Sequence, residues 1–126
     1  MQTFSKSERL CSKIAIEKLV EEGKSFHLSP FKISWLSNTE ESVPVQILIS
    51  VPKRTFKRAV DRNLLKRRIR EAYRKNKQSL LEEMAEKKIY LMVIYTAKTI
   101  LDYKEIEEKM IKGLQRLTND IDQLAK

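Results

Sequence analysis

One segment of this chain has to be half core and half surface, and that requirement constrains the fold more than any other feature. Between Lys53 and Lys77 stand 12 basic residues and two acids, Asp61 and Glu71. The rest of the chain holds 14 basic and 15 acidic residues, so the net charge of +9 belongs to this one stretch. At about 100° per residue, Leu65, Ile69, Ala72 and Tyr73 share one sector of a helix running from about Arg58 to Asn76. Arg62, Asn63, Lys66, Arg67, Arg70 and Arg74 share the adjoining sector. Solvated helices usually mix signs along i,i+4 pairs. Here like charges meet at 62/66, 66/70, 67/70 and 70/74. Such a helix packs one side on a sheet and offers the other to a polyanion. Arginine outnumbers lysine on that side, and its planar fork grips phosphate in two-pronged fashion. Asn63 adds a donor and an acceptor, suited to a 2′-hydroxyl or a base edge.

The chain has 126 residues, 41% hydrophobic and 34% charged. That fits a single domain over 1–126 with one real core. The lone cysteine, Cys11, excludes an internal disulfide and suits a reducing compartment. The longest apolar stretch, Ile89 to Tyr95, is far too short for a bilayer span. The first ten residues lack the apolar stretch of a signal peptide. A cytoplasmic protein is expected. With two glycines in the chain there is no GxGxxG or Walker A loop.

The flanking pattern supplies the layer on which the basic helix packs. Ser12 is placed to cap a helix over Lys13 to Glu22, with Gly23 as its C′ residue. Phe31, Ile33 and Trp35 alternate with polar neighbours, as in a half-buried strand. Ser37 to Ser42 reads as a hairpin loop, leading into a second strand over Val45 to Val51 that Pro52 closes. A short helix is expected over Leu80 to Glu86, then a buried strand over Ile89 to Thr96. Asp102 and Glu105 form a capping-box pattern. It opens a last helix whose inner face carries Ile106, Met110, Leu114, Leu117 and Ile121. Gly113 should weaken its middle, so a kink or break is expected there. The strand–helix–strand unit around the basic helix places two strands in parallel. The expected fold is an α/β (α+β) two-layer sandwich, a mixed sheet of about four strands with about three helices.

Arg62-Asn63-Leu64-Leu65-Lys66-Arg67-Arg68-Ile69-Arg70-Glu71 strongly resembles the RNxxKRxxRE signature of the bacterial ribonuclease P protein component family. Lys53-Arg54 and Ala59-Val60 sit where that family has a basic pair and a small-apolar pair. Arg9-Leu10, the helix ending at Gly23, the Phe31 strand and the Ser50-Val51 strand end follow the family's order, so the resemblance spans about residues 9 to 96. The resemblance implies a subunit of a ribonucleoprotein endonuclease that removes the 5′ leader from precursor tRNA. Catalysis would belong to the RNA subunit and its Mg2+ ions, with no cofactor held by the protein. The partners implied are that catalytic RNA and precursor tRNA with its leader, not DNA and not a membrane. The basic helix would lie in a left-handed strand–helix–strand crossover, against the general right-handed rule. Arg62, Asn63, Lys66, Arg67 and Arg70 would be the RNA-facing motif, extended by Lys53, Arg54, Arg58 and Arg74. The leader cleft would lie between the first helix and the sheet, with Ile16, Val20, Phe31, Ser34 and Trp35 as candidates. Ile16 and Val20 stand where phenylalanines are common, and Ser34 where a tyrosine often occurs. Base stacking, worth about 1–3 kcal/mol, is reduced accordingly. Core packing is the competing role for Ile16, Val20, Phe31 and Trp35.

No catalytic residue is expected in the protein itself. His27 is the single histidine. Asp61 and Glu71 lie about 15 Å apart along one helix, too far to share a metal. Glu71 is expected to pair with Arg67 or Lys75. Asp120 and Asp122 have no partner pattern, and Cys11 has no histidine or second cysteine beside it in sequence. The alternative function is a generic structured-RNA-binding module of ribosomal-protein type. A helix-turn-helix fits poorly, because a strand precedes the basic helix. A membrane-surface helix also fits poorly, because Leu65, Ile69 and Tyr73 are needed for the core.

Overall fold

The computed structural model describes residues 10, 13–37, 45–83 and 88–125. In chain order these form α1 (Lys13–Glu22), β1 (Lys24–Leu28), β2 (Phe31–Ser37), β3 (Val45–Ser50), α2 (Ala59–Asn76), α3 (Gln78–Glu83), β4 (Ile89–Tyr95) and α4 (Tyr103–Ala125). The four strands make one mixed sheet in the order β1-β2-β4-β3. β1 pairs antiparallel with β2, and β2 with β4, while β3 runs parallel to β4. The parallel pair with α2 in its crossover is the arrangement the sequence pattern predicts.

β4 takes the centre because it is apolar at every position on both faces. Ile89, Leu91, Val93 and Tyr95 point into the main core, and Tyr90 and Met92 into a second cluster on the opposite side. A strand buried on both faces belongs between two others. β4 therefore separates β2 from β3, and the expected hairpin between them does not form. Short loops make neighbours in sequence easy to join, but the pairing that buries β4 outweighs that preference. Residues 38–42 of the expected hairpin loop, together with Cys11 and Ser12, lie outside the described residues. β1 is an unforeseen strand, since of its five residues only Phe26 is buried.

Against the sheet the main core is filled chiefly by α2 and α4, with Leu80 of α3. Leu65, Ile69, Ala72 and Tyr73 of α2 are at most 1% exposed, which is the sector the helical spacing selects. α4 contributes Ile106, Met110, Leu114, Leu117 and Ile121. On the other face α1 lays Ala15 and Leu19 beside Leu10, Tyr90 and Met92. Leu10 is also pinned through its backbone N–H to the Ile47 carbonyl at 2.8 Å. The Asp102 side chain accepts the Glu105 N–H at 2.9 Å and starts α4, as the capping pattern predicts.

Both glycines serve close approach. Neither has a positive φ, so Gly23 is not the left-handed terminator expected of a C′ glycine. A Cβ at Gly23 would run into the Leu19 carbonyl oxygen, which already accepts the Gly23 N–H at 2.9 Å. Gly113 does not break α4, which continues through it. It lets α4 settle onto β2, where a Cβ would stand 2.7 Å from Ile33 Cδ1.

α2 and α4 are tied at their seam. Tyr103 Oη donates to Glu107 at 2.9 Å, Asn76 reaches the same carboxylate at 3.2 Å, and Lys75 Nζ stands 5.5 Å over the Tyr103 ring. Burial first, and then the carboxylate that accepts its proton, push Tyr103 up to about 12.

Three stability outcomes follow, each read from denaturant midpoints. Leu65→Ala should cost about 2–5 kcal/mol through the cavity it leaves. Gly23→Ala should destabilise because the obstruction is backbone. Gly113→Ala should stay within about 1 kcal/mol of neutral, since a terminal methyl can turn away and alanine favours helix. The fourth concerns pH. An unfolded tyrosine ionises near 10, whereas Tyr103 in the fold holds its proton to about 12. Its stabilisation is complete below pH 10 and disappears as pH rises through about 12. The stability gap between the wild type and Tyr103→Phe should therefore narrow over that window; a gap that stays constant would contradict the assignment.

Candidate nucleic-acid interface

The parallel pairing of β3 and β4 brings their carboxyl ends side by side, with Ser50 opposite Ile94. The segment after β3, the segment after β4 and the turn between β1 and β2 therefore gather at one end of the sheet. Thr96 N–H donates to the Pro30 carbonyl at 2.7 Å and closes two of these together. Tyr95 is the post around which the end is built. Its ring meets Phe31 edge-on at 6.2 Å and Phe56 at 5.8 Å. Its hydroxyl donates to Thr99 O at 2.7 Å and accepts the Leu101 N–H at 3.2 Å. Burial raises its pKa, so the phenol keeps its proton and both bonds at neutral pH.

The basic segment leaves this end and becomes α2. Lys53, Arg54, Lys57 and Arg58 are exposed in the connection. Phe56 is its anchor, buried against Tyr95, with its N–H bonded to Pro52 O at 3.1 Å. Arg58 is the N-cap residue, extended and without a side-chain cap, so the first amides of α2 are open to solvent or an anion.

Along α2 the cations separate into two groups. Arg62, Arg68 and Arg74 are turned to protein acceptors. Arg62 Nη1 donates to Phe56 O at 2.8 Å and to Lys57 O at 2.9 Å. Arg68 Nη1 donates to Leu101 O at 2.7 Å and holds the segment before α4. Arg74 grips Glu71 through Nε at 3.0 Å and Nη2 at 2.5 Å. That hydrogen bond lowers the Glu71 pKa and raises that of Arg74. Glu71 thus pairs mainly with Arg74, with Lys75 at 4.0 Å, and not with Arg67. The i+3 position carries the long fork within reach, while Arg67 is exposed and makes no bond to Glu71. The second group is Lys66, Arg67 and Arg70, with the neutral Asn63 beside them. For these side chains the described residues contain no hydrogen-bond or ion-pair partner. Asn63 and Arg67 are exposed and Lys66 and Arg70 half-buried, so four donors line one side of a rigid helix.

The proposed cleft residues are divided between the two faces of the sheet. Ile16 is half-buried beside the second cluster, Val20 is 65% exposed on α1, and Ser34 is buried opposite Met92 on that same face. Phe31 and Trp35 are corrected. Strand alternation sends them to the other face, where they are 0% and 4% exposed in the main core, out of reach of a ligand at α1. The aromatic ring on the α1 side is Tyr90, which sequence reading treated only as strand. Its even parity on β4 carried the signal, but reading it required knowing which face α1 covers. Lys57, one more exposed cation of the connection, and the anchoring arginine Arg68 were also missed as contributors; the Arg68 bond to Leu101 O joins segments that spacing cannot relate. No group of three histidine, cysteine, aspartate or glutamate side chains suited to a metal occurs among the described residues.

Comparison with known proteins bears on all of this. Residues 4–118 match the ribonuclease P family. The chain is 36% identical over 121 residues to the ribonuclease P protein component of Porphyromonas gingivalis, covering 94% of this chain and 88% of the relative. It is 30% identical to that of Petrotoga mobilis, covering 92% and 96%. The fold is similar to the RNase P protein of Thermotoga maritima, with TM-score 0.69 and 27% identity over 86% of this chain and 96% of the other. It also resembles that of Staphylococcus aureus, with TM-score 0.71 and 22% identity over 87% and 94%. Sequence match, fold and the basic helix agree that this chain belongs to the ribonuclease P protein family, a protein subunit of an endoribonuclease whose partner is RNA.

Proposed function

We propose that the exposed side of α2 and the connection before it bind the phosphate backbone of ribonuclease P RNA, and that the assembled enzyme removes the 5′ leader of precursor tRNA in the cytoplasm. The observation that carries this reading is the row Asn63, Lys66, Arg67 and Arg70, fixed by a buried helix face and, among the described residues, unpaired with protein groups. Arginine and lysine at one-turn spacing follow a phosphate chain, since α2 rises about 1.5 Å per residue. Lys53, Arg54 and Arg58 extend the same positive surface. Arg74, neutralised by Glu71, contributes less charge to it than the sequence suggests.

In this reading the RNA supplies the reaction centre and its Mg2+, and the protein supplies binding and orientation. The leader is assigned to the α1 side of the sheet, with Ile16, Val20 and Ser34 beside Tyr90. Apolar contact there replaces much of the stacking an aromatic pair would give.

Two outcomes are expected. Protein mixed with ribonuclease P RNA and a 5′-labelled precursor tRNA at low magnesium should cleave at the mature 5′ end only when both components are present. Cleavage by the protein alone would overturn the assignment of catalysis to RNA. If about five phosphates are neutralised, log affinity should fall against log salt with a slope of about −4. Arg67→Ala or Arg70→Ala should shrink that slope by about one unit, and a salt-independent affinity would contradict the phosphate contacts.

A further inference from the structure

Arg62 opens the charged row of α2, yet its guanidinium points backwards. Nη1 carries two hydrogens, and both are used, on Phe56 O at 2.8 Å and Lys57 O at 2.9 Å. A two-pronged phosphate grip through that nitrogen is closed. The segment it holds has unusual needs. Lys53, Arg54, Lys57 and Arg58 are all exposed within six residues and repel one another. Arg58 provides no side-chain cap, so no side-chain capping bond joins the connection to the start of α2. What fixes the segment is the buried Phe56 ring, the Phe56 N–H bond to Pro52 O, and the Arg62 fork. The fork is the one of these that ties the connection to the charged face of the helix.

We infer that Arg62 is a positioning residue: it acts on RNA through the connection, setting the loop cations Lys53, Arg54, Lys57 and Arg58 in register with Lys66, Arg67 and Arg70. This rests on the RNA-binding reading of α2. Fixing the backbone of a flexible segment before binding spares the complex that ordering cost. A guanidinium suits the task because the two hydrogens of its Nη1 are held in a fixed plane and meet two successive carbonyls, whereas the hydrogens of an ammonium rotate about its stem.

A double-mutant cycle tests this, read as affinity of the full chain for ribonuclease P RNA transcript. One axis is Arg62→Ala. The other replaces Lys53, Arg54, Lys57 and Arg58 together by alanine. With the loop cations present, Arg62→Ala should weaken binding about tenfold, the middle of the range for residues sharing contacts. With the loop cations removed, the same substitution should change affinity less than about twofold. Equal losses in both backgrounds would show that Arg62 meets RNA by itself and would overturn the inference. Amide hydrogen exchange gives an independent readout. In Arg62→Ala, protection should fall at Phe56 while β4 keeps its own, and unchanged exchange at Phe56 would also overturn it. Should Arg62→Ala fail to fold, Arg62→Lys enters the same cycle with the same two outcomes. Lys66→Ala with Arg67→Ala serves as the reference. If that pair loses no affinity, the RNA-binding reading of α2 fails; if it does and Arg62 is additive, only this inference fails.

Discussion

Burial of Leu65, Ile69, Ala72 and Tyr73 against the sheet and α4 fixes the rotation of α2 about its axis, and everything functional depends on that rotation. Free in water, a helix with this much like charge would be poorly stable. Its stability comes from the tertiary contact of its apolar stripe, as for most helices in proteins. Because those four side chains are sealed in the core, Asn63, Lys66, Arg67 and Arg70 have no choice but to face outward. The core thus holds the self-repulsion of the charged side in place, ready for an anion.

The end of the sheet follows from the same packing. Parallel pairing of β3 with β4 puts two connections together, and Tyr95 ties them with its ring and its hydroxyl. Three arginines of α2 are bonded to protein groups: Arg62 towards the first connection, Arg68 towards the second, Arg74 towards Glu71. A basic segment is therefore not a uniform surface. Some of its charge braces the frame on which the remainder is displayed.

Much of this was legible in the chain. The charge localisation at residues 53–77, the apolar sector of α2, the inner face of α4 and the capping role of Asp102 all follow from local periodicity, and each stands as expected. The departures have more than one source. The supposed pairing of β2 with β3, the left-handed ending at Gly23 and the break at Gly113 were inferences from near neighbours, while the cleft role of Phe31 and Trp35 was implied by the family resemblance. Three of these outcomes were decided by elements distant in sequence: β4 between the strands, the approach of α4 to Ile33, and α1 choosing which face of β2 it covers, whereas Gly23 meets the carbonyl of Leu19 only four residues back.

The sequence by itself determined the family, the charged helix and its two-sidedness, because residue type and a 3.6-residue period are properties of a single segment. The tertiary structure alone decided which cations remain available, because a guanidinium's partner is whatever carbonyl or carboxylate folding brings within about 3 Å. Arg62 and Arg67 are identical residues on one helix, five positions apart. One is bonded to Phe56 and Lys57 and the other has no partner among the described residues, and only the path of the chain around them makes the difference.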